Sequence, residues 1–171
     1  MSITVPICAV DKVDPLDLLA TYNTPIIGKF TQKKYFKILK KPVRSSGIFS
    51  ATKDGFNWQI TTPVPSAVIL QGENLYLENS RGDRESQPNA HSFITILKAI
   101  LIGDKSTIRA YFDVDQGDIN TCASLVPNLA LMRKVLTRLD ICQRTDGYEI
   151  ELFDSNDVRT IITLAIQSDS K

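Results

Sequence analysis

The chain has 171 residues, of which 43% are hydrophobic and 23% charged, and its formal net charge is +1. One domain of this length buries roughly two-thirds of its unfolded surface, so we expect a single domain over residues 1–171, with an irregular segment at 1–13. The near-neutral charge argues against a nucleic-acid-binding protein. The chain also lacks an apolar run of about 18 residues, the length that predicts a membrane-spanning helix.

The first predicted element is a helix over residues 14–22. Asp14 is a suitable N-cap, and Pro15 occupies the favoured first position of a helix. Leu16 and Leu19 then fall on one face. The residues before this helix lack the basic start and the small-residue cleavage site of a signal peptide, so the sequence leaves open whether the N-terminus was processed.

A row of short strands with apolar residues at alternating positions follows this helix. Asp54-Gly55 predicts a hairpin turn, and Phe56, Trp58 and Ile60 share one face of the strand after it. Five strands are predicted here, at 26–36, 45–52, 56–61, 67–71 and 75–78. A basic loop at 37–44 separates the first two, and the polar segment 79–88 is predicted to be an exposed loop.

The clearest predicted helix spans residues 89–102, capped by Asn89 and ended by Gly103. Its apolar residues wrap more than half of its circumference, a wider stripe than a surface helix usually has. The helix is therefore either sunk in the protein core or facing something apolar that is not protein.

The second half of the chain again reads as strands, at 108–114, 119–126, 135–142, 148–152 and 159–166. Val135, Thr137, Leu139 and Ile141 are predicted to share one face, and Tyr148, Ile150 and Leu152 another. The total is nine or ten strands with short connections, which predicts a mostly antiparallel sheet. A sheet of this size curls, and the two helices are available to cover its concave face. The predicted fold class is therefore α+β, a curved antiparallel sheet covered by helices around an apolar interior.

The cysteines leave two interpretations open. Cys122 and Cys142 lie in apolar segments that could be antiparallel neighbours, so they either form a disulfide or are two small buried hydrophobes. With a single histidine and no Cys-x-x-Cys pair, no metal site is predicted, and no cofactor is expected.

The ordered strand motifs resemble the LolA-type periplasmic lipoprotein carriers of Gram-negative bacteria. The resemblance covers residues 14–80 well and the C-terminal half more in pattern than in residues. The motifs that carry the resemblance are Phe30-Thr31-Gln32-Lys33, Ser46-Gly47-Ile48-Phe49, Phe56-Asn57-Trp58, Thr62-Pro63 and Gly72-Glu73-Asn74-Leu75-Tyr76.

The resemblance implies an unclosed β-barrel with a helical lid, working in the periplasm. Such proteins accept the acyl chains of a lipoprotein from an inner-membrane transporter and deliver them to an outer-membrane receptor. The best-studied branch of the family carries an arginine just before the aromatic-x-Trp strand, where this chain has Thr52 and then Lys53. A specialised carrier for a different lipid or lipid-linked cargo, monomeric in solution, therefore fits better than the housekeeping carrier.

An acyl chain needs an apolar surface from which water is excluded. The candidates to line it are Phe30, Phe49, Phe56, Trp58, Ile60, Leu75, Leu77, Phe93, Leu97 and Leu101. The sequence does not decide which face of each strand points inward, and Trp58 fits an ordinary sheet core equally well.

Basic residues form a second candidate site, for a partner protein or lipid head groups: Lys37, Lys40, Lys41, Arg44 and Lys53. The alternative is a solvated loop that keeps an edge strand from pairing.

An enzyme is not predicted. His91 is the only histidine, no Gly-x-Ser-x-Gly motif is present, and no catalytic residues are assigned. The predicted function is a periplasmic carrier of lipoprotein acyl chains or a related lipid-like cargo towards the outer membrane. The alternative is a β-rich interaction or assembly protein of the cell envelope, with a filled core and no lipid cargo.

Overall fold

A computed structural model describes residues 13–87, 91–117 and 121–167 of the chain. The irregular segment expected at 1–13, apart from Val13, and the Asn89 cap lie outside these residues. The described elements, in chain order, are a 3₁₀ helix Pro15–Leu18, β1 Ile26–Tyr35, β2 Val43–Ala51, β3 Gly55–Thr62, β4 Ser66–Gln71, β5 Asn74–Glu78, β6 Arg84–Ser86, α1 His91–Ile102, α2 Lys105–Tyr111, β7 Phe112–Gln116, β8 Cys122–Pro127, α3 Ala130–Arg133, β9 Leu136–Arg144, β10 Gly147–Asp154 and β11 Arg159–Ile166.

All of these strands belong to one antiparallel sheet. Its order is β6-β5-β4-β3-β2-β1-β11-β10-β9-β8-β7, so the first and last parts of the chain meet where β1 pairs with β11. The two edge strands, β6 and β7, do not pair with each other, and the sheet is therefore not closed into a barrel. The predicted α+β fold with an unclosed antiparallel sheet is confirmed.

The sheet and the helices enclose a hydrophobic core at one end of the concave face. Phe30, Leu164 and Tyr148 lie side by side across β1, β11 and β10, and all three are buried. On α1, Ile100 and Leu101 are completely buried. The helix predicted at 89–102 is thus present from His91, and Gly103, with φ of 71°, follows its last residue in the left-handed conformation that favours glycine.

Four aromatic rings pack at the centre of the sheet. The rings of Phe30 and Trp58 stack with their centroids 3.6 Å apart, and those of Phe49 and Phe56 each lie 6.1 Å from Trp58. Gly47 makes room for this packing, since a Cβ there would lie 2.9 Å from the ring of Phe30 and 1.8 Å from a backbone oxygen of β3. The Gly47 in the family-like motif is therefore explained by close packing.

The N-terminal helix is shorter than predicted. Only Pro15–Leu18 is helical, with the N–H of Leu19 bonded to the carbonyl of Leu16. The next N–H, of Ala20, donates instead to the hydroxyl of Tyr148 at 2.7 Å, a long-range contact that the sequence could not reveal. Burial raises the pKa of Tyr148 to about 12, so this phenol stays neutral at physiological pH.

The prediction of a strand at 108–114 is wrong for residues 108–111. Residues up to Tyr111 form α2, and β7 begins only at Phe112. Asp104 starts this helix: one carboxylate oxygen accepts the Thr107 N–H at 3.1 Å and the other accepts the Thr107 hydroxyl at 2.6 Å. These bonds lower the pKa of Asp104, the hydroxyl bond most strongly. The cap outweighs the strand preference of the β-branched residues that follow it.

Part of the loop predicted at 79–88 is the edge strand β6. It pairs with β5, and all three of its residues are exposed. The sequence of β6 therefore lacks the apolar alternation by which a strand is recognised. The short α3 helix, which buries Met132, was likewise not predicted.

The prediction of one shared face for Val135, Thr137, Leu139 and Ile141 is only half right. Leu139 and Ile141 are buried, but Val135 is 65% exposed. The register between β9 and β10 shifts near Thr137, because Phe153 pairs with Arg138 and Asp154 with Leu136. This bulge turns Leu136 into the interior in place of Val135. Tyr148, Ile150 and Leu152 share the buried face as predicted.

Of the two interpretations of the cysteine pair, the structure has the disulfide. Cys122 and Cys142 lie directly opposite each other on β8 and β9, with their Cα atoms 4.1 Å apart, and their sulfur atoms are bonded. The bond joins β8 covalently to β9, the third strand from the β7 edge of the sheet.

Candidate functional site

Two cavities open between the helices and the concave face of the sheet. The first, the β3 cavity, has a volume of about 340 Å³ and is lined by Gln32, Lys34, Trp58, Ile60, Val68, Leu77, Phe93, Ile94, Leu97, Leu152, Thr160 and Ile162. The second, the α3 cavity, has a volume of about 660 Å³ and is lined by Lys34, Ser92, Phe93, Leu131, Met132, Lys134, Val135, Leu136, Leu152, Asp154, Val158 and Thr160.

The two cavities adjoin, because four residues line both of them: Lys34, Phe93, Leu152 and Thr160. Three of these form one row across the sheet, in which Lys34 of β1 pairs with Thr160 of β11, and Thr160 pairs with Leu152 of β10. Phe93 faces this row from α1. The cavities therefore lie side by side along one groove and are separated by these four side chains.

The position of the groove follows from the order of side chains along β1. The row that contains Phe30 is filled and buried, whereas the two rows nearer the end of the strand carry Gln32 and then Lys34 on the same face. The helix above changes in the same direction: Ile100 is completely buried, but Phe93 is 38% exposed. The sheet and α1 thus pack tightly at one end and leave space at the other.

The chemistry of the walls is mostly apolar. Aliphatic and aromatic side chains form nine of the twelve lining residues of the β3 cavity and seven of the twelve of the α3 cavity. The polar residues of the α3 cavity are Lys34, Ser92, Lys134, Asp154 and Thr160. Walls of this kind hold hydrocarbon by burial and shape, without a directional bond. At the mouth of the α3 cavity, Leu131 is 77% exposed, so apolar surface continues from the groove onto the outside of the protein.

Five of the ten side chains predicted to line a cavity lie on the wall of the β3 cavity: Trp58, Ile60, Leu77, Phe93 and Leu97. The other five pack in the core instead: Phe30, Phe49, Phe56, Leu75 and Leu101. Trp58 and Leu97 line the cavity and also belong to the hydrophobic core. Trp58 touches the aromatic cluster as well as the cavity.

Of the residues that line the α3 cavity, the sequence predicted only Phe93. The residues it did not identify include Leu131, Met132 and Val135, which stand on or beside a four-residue helix. Leu152 and Ile162 could have been identified from the sequence, because each belongs to a C-terminal strand in which apolar residues occupy alternating positions.

The basic loop between β1 and β2 lies beside the α3 cavity. Lys37 forms an ion pair with Asp157, in the turn next to the cavity residue Val158. Lys40, Lys41 and Arg44 are exposed around the same loop, and Ile38 at its tip is 91% exposed. The structure thus brings four of the five predicted contact residues together. Lys53 lies beyond the other end of β2, where its carbonyl accepts a hydrogen bond from the Lys98 ammonium.

His91, the only histidine, stands at the start of α1, with its Nδ1 atom 3.3 Å from the Thr95 hydroxyl one turn further on. Within residues 13–87, 91–117 and 121–167, no three histidine, cysteine or acidic side chains are grouped so that they could hold a metal ion. Nor does any helix in these ranges have the length and hydrophobicity to cross a membrane.

Comparison with known proteins identifies one family. The family described as "Outer membrane lipoprotein carrier protein LolA" matches residues 23–170. No curated protein matches the chain.

Two solved structures are similar in outline. A LolA superfamily protein from Nitrosomonas europaea has 8% sequence identity and a TM-score of 0.49, with 90% of this chain and 91% of that chain covered. A DUF1329 family protein from Desulfovibrio piger has 9% identity and a TM-score of 0.47, with 91% and 89% covered.

Proposed function

Because the chain belongs to the LolA family of outer membrane lipoprotein carrier proteins, we propose that it carries acyl chains of lipoproteins, or of a related lipid-like cargo, in its two adjoining cavities. The observation that supports this proposal most strongly is the apolar groove itself, with cavities of about 340 and 660 Å³ between the sheet and the helices. The proposed role is that of a monomeric carrier, not of an enzyme.

The groove suits reversible loading. Each methylene group removed from water contributes about 0.8 kcal/mol to binding, and non-directional contacts let a chain slide in and out. The exposed apolar rim at Phe93, Leu131 and Val135 gives an acyl chain a first contact outside the groove. Release without a nucleotide then requires only that an acceptor offers a better apolar surface.

The proposed compartment is the periplasm, and the proposed direction of transport is towards the outer membrane. The Cys122–Cys142 disulfide supports this compartment, because disulfides form and persist in oxidising surroundings such as the bacterial periplasm. An inner-membrane transporter as donor and an outer-membrane receptor as acceptor complete the proposal, by analogy with the family.

The loop between β1 and β2, with Lys37, Lys40 and Lys41, is proposed together with Arg44 near the start of β2 as the surface that meets the donor, the acceptor or lipid head groups. Its position supports this role, since the Lys37–Asp157 ion pair holds it beside the α3 cavity. Ile38, exposed on the same loop, adds an apolar contact. A cargo that leaves the groove here would pass directly to the bound partner.

We expect the affinity of the delipidated protein for unbranched fatty acids to rise about fourfold for each added methylene, the factor that corresponds to about 0.8 kcal/mol. The rise should stop where the groove is full. Isothermal titration calorimetry with fatty acids of increasing length measures this series. Saturable binding with this dependence supports the carrier. An affinity that is independent of chain length, or no binding at all, would favour the alternative interaction protein with no lipid cargo.

A further inference from the structure

Lys34 is the one cationic residue that lines both cavities. It stands on the inner face of β1, two residues after Gln32 and four after the buried Phe30. It thus lies at the partition between the two cavities. It is the one charged residue on the wall of the β3 cavity, whereas the α3 cavity also has Lys134 and Asp154 on its wall. An apolar groove made only for hydrocarbon has no need of an ammonium group at this point.

The ammonium group of Lys34 has no carboxylate partner within the described ranges of the chain, where eight ion pairs are formed by other residues. The Nζ atom makes a cation–π contact with the ring of Phe36, whose centroid lies 5.3 Å away. Asp154, the only acidic residue on either cavity wall, accepts the backbone N–H groups of Asn156 at 2.7 Å and Val158 at 2.9 Å with its Oδ1 atom and forms no ion pair with Lys34. The charge of Lys34 is therefore available to a ligand.

Neighbouring groups add hydrogen-bonding capacity at the same place. Thr160 pairs with Lys34 across β1 and β11 and also lines both cavities, and the Gln32 side chain lines the β3 cavity. A hydroxyl and an amide beside an ammonium are donors that match the oxygens of a carboxylate or phosphate. Because the group is half-buried between apolar walls, its attraction for an anion is screened less than that of a surface lysine.

The geometry points to an anionic amphiphile as the cargo: its carboxylate or phosphate oxygens bind Lys34 and Thr160, and its hydrocarbon extends from this point into the β3 or the α3 cavity. This inference rests on the proposed carrier function and narrows the class of cargo, since a neutral acyl chain would leave Lys34 unpaired. It assigns Lys34 as the residue that discriminates between charged and neutral amphiphiles.

The test compares dodecanoate, dodecyl phosphate and dodecanol, which share a hydrocarbon chain and differ in their head group, by calorimetric titration at neutral pH. The wild-type protein is expected to bind at least one of the two anions about tenfold more tightly than the alcohol, a factor that corresponds to about 1.4 kcal/mol. Whichever of the two anions binds more tightly identifies the head group of the cargo. In Lys34→Met this preference is expected to disappear, whereas Lys34→Arg should keep it.

Lys33→Met is the matched control. Lys33 lies on the other face of the same strand, where it pairs with Arg44 and Ile161, so this variant should leave the preference unchanged. Lys34→Gln serves as a second variant if the methionine variant does not fold. Equal binding of anions and alcohol by the wild type, or an anion preference that survives in Lys34→Met, overturns this inference alone. Failure of all three ligands to bind overturns the proposed carrier function, and this inference with it.

Discussion

Replacing Val68 with tryptophan is expected to weaken acyl-chain binding about 100-fold. Val68 lies in β4 next to Trp58 of β3, and both side chains line the β3 cavity. A tryptophan at this position would occupy space that the hydrocarbon needs. Exclusion of three or four methylene groups at about 0.8 kcal/mol each predicts a loss of this size. Calorimetric titration with dodecanoate measures it without interference from the added indole fluorescence.

The control is Ile69→Trp, one residue further along the same strand. Ile69 pairs with the exposed Asn57, on the face of the sheet opposite to the cavity, so this variant should bind like the wild type. Leu77→Trp offers a second obstruction, because Leu77 is partly exposed, lines the same cavity and tolerates a larger side chain more readily. If both obstructing variants keep wild-type affinity while remaining folded, the β3 cavity is not where the acyl chain binds.

Removing the disulfide by Cys122→Ser together with Cys142→Ser is expected to lower the free energy of unfolding by about 3 kcal/mol. The bond closes a loop between residues 20 positions apart, and the loss of its constraint on the unfolded chain has this size in the chain-entropy treatment. For a protein of this length the melting temperature should fall by about 6–12 °C. Differential scanning calorimetry and denaturant unfolding give both quantities.

A reducing agent provides the matched comparison for the cysteine variant. It should lower the melting temperature of the wild type to that of the double variant and leave the double variant unchanged. A double variant with the same melting temperature as the wild type would show that the disulfide between β8 and β9 adds no stability beyond that of the hydrogen-bonded pairing. Since the disulfide lies outside both cavity walls, fatty-acid affinity below the melting transition should be the same in all samples.

The strands with alternating side chains were predictable because one of their faces is buried. β3 and β10 show this pattern directly, and their buried residues were identified from it. The elements that were not predictable from the sequence depend on contacts that are distant along the chain or irregular. The first helix ends early because Tyr148, far along the chain, takes the N–H of Ala20, and β9 changes its face at a bulge.

The candidate site was predictable in part for the same reason. A large apolar residue on a strand or helix is expected to face inward, but hydrophobicity alone does not separate a wall from a filled core. Phe30 and Trp58 illustrate this limit: their rings touch, yet only Trp58 reaches a cavity. Lys34 was not predicted to line a cavity, because in the sequence it is one lysine of a basic stretch and only the sheet register places it on the inner face.

The central claim is that an acyl chain occupies the groove beside Trp58. Trp58 is the only tryptophan of the chain, it is buried, and it lines the β3 cavity, so its fluorescence reports on this place alone. The most direct measurement is a titration with fatty acids brominated at different carbons, since bromine quenches indole emission on contact. If an acyl chain occupies the groove, the quenching is saturable, depends on the position of the bromine and is reversed by unlabelled dodecanoate. Binding by calorimetry without quenching at any bromine position, or no binding, would show that no acyl chain lies beside Trp58.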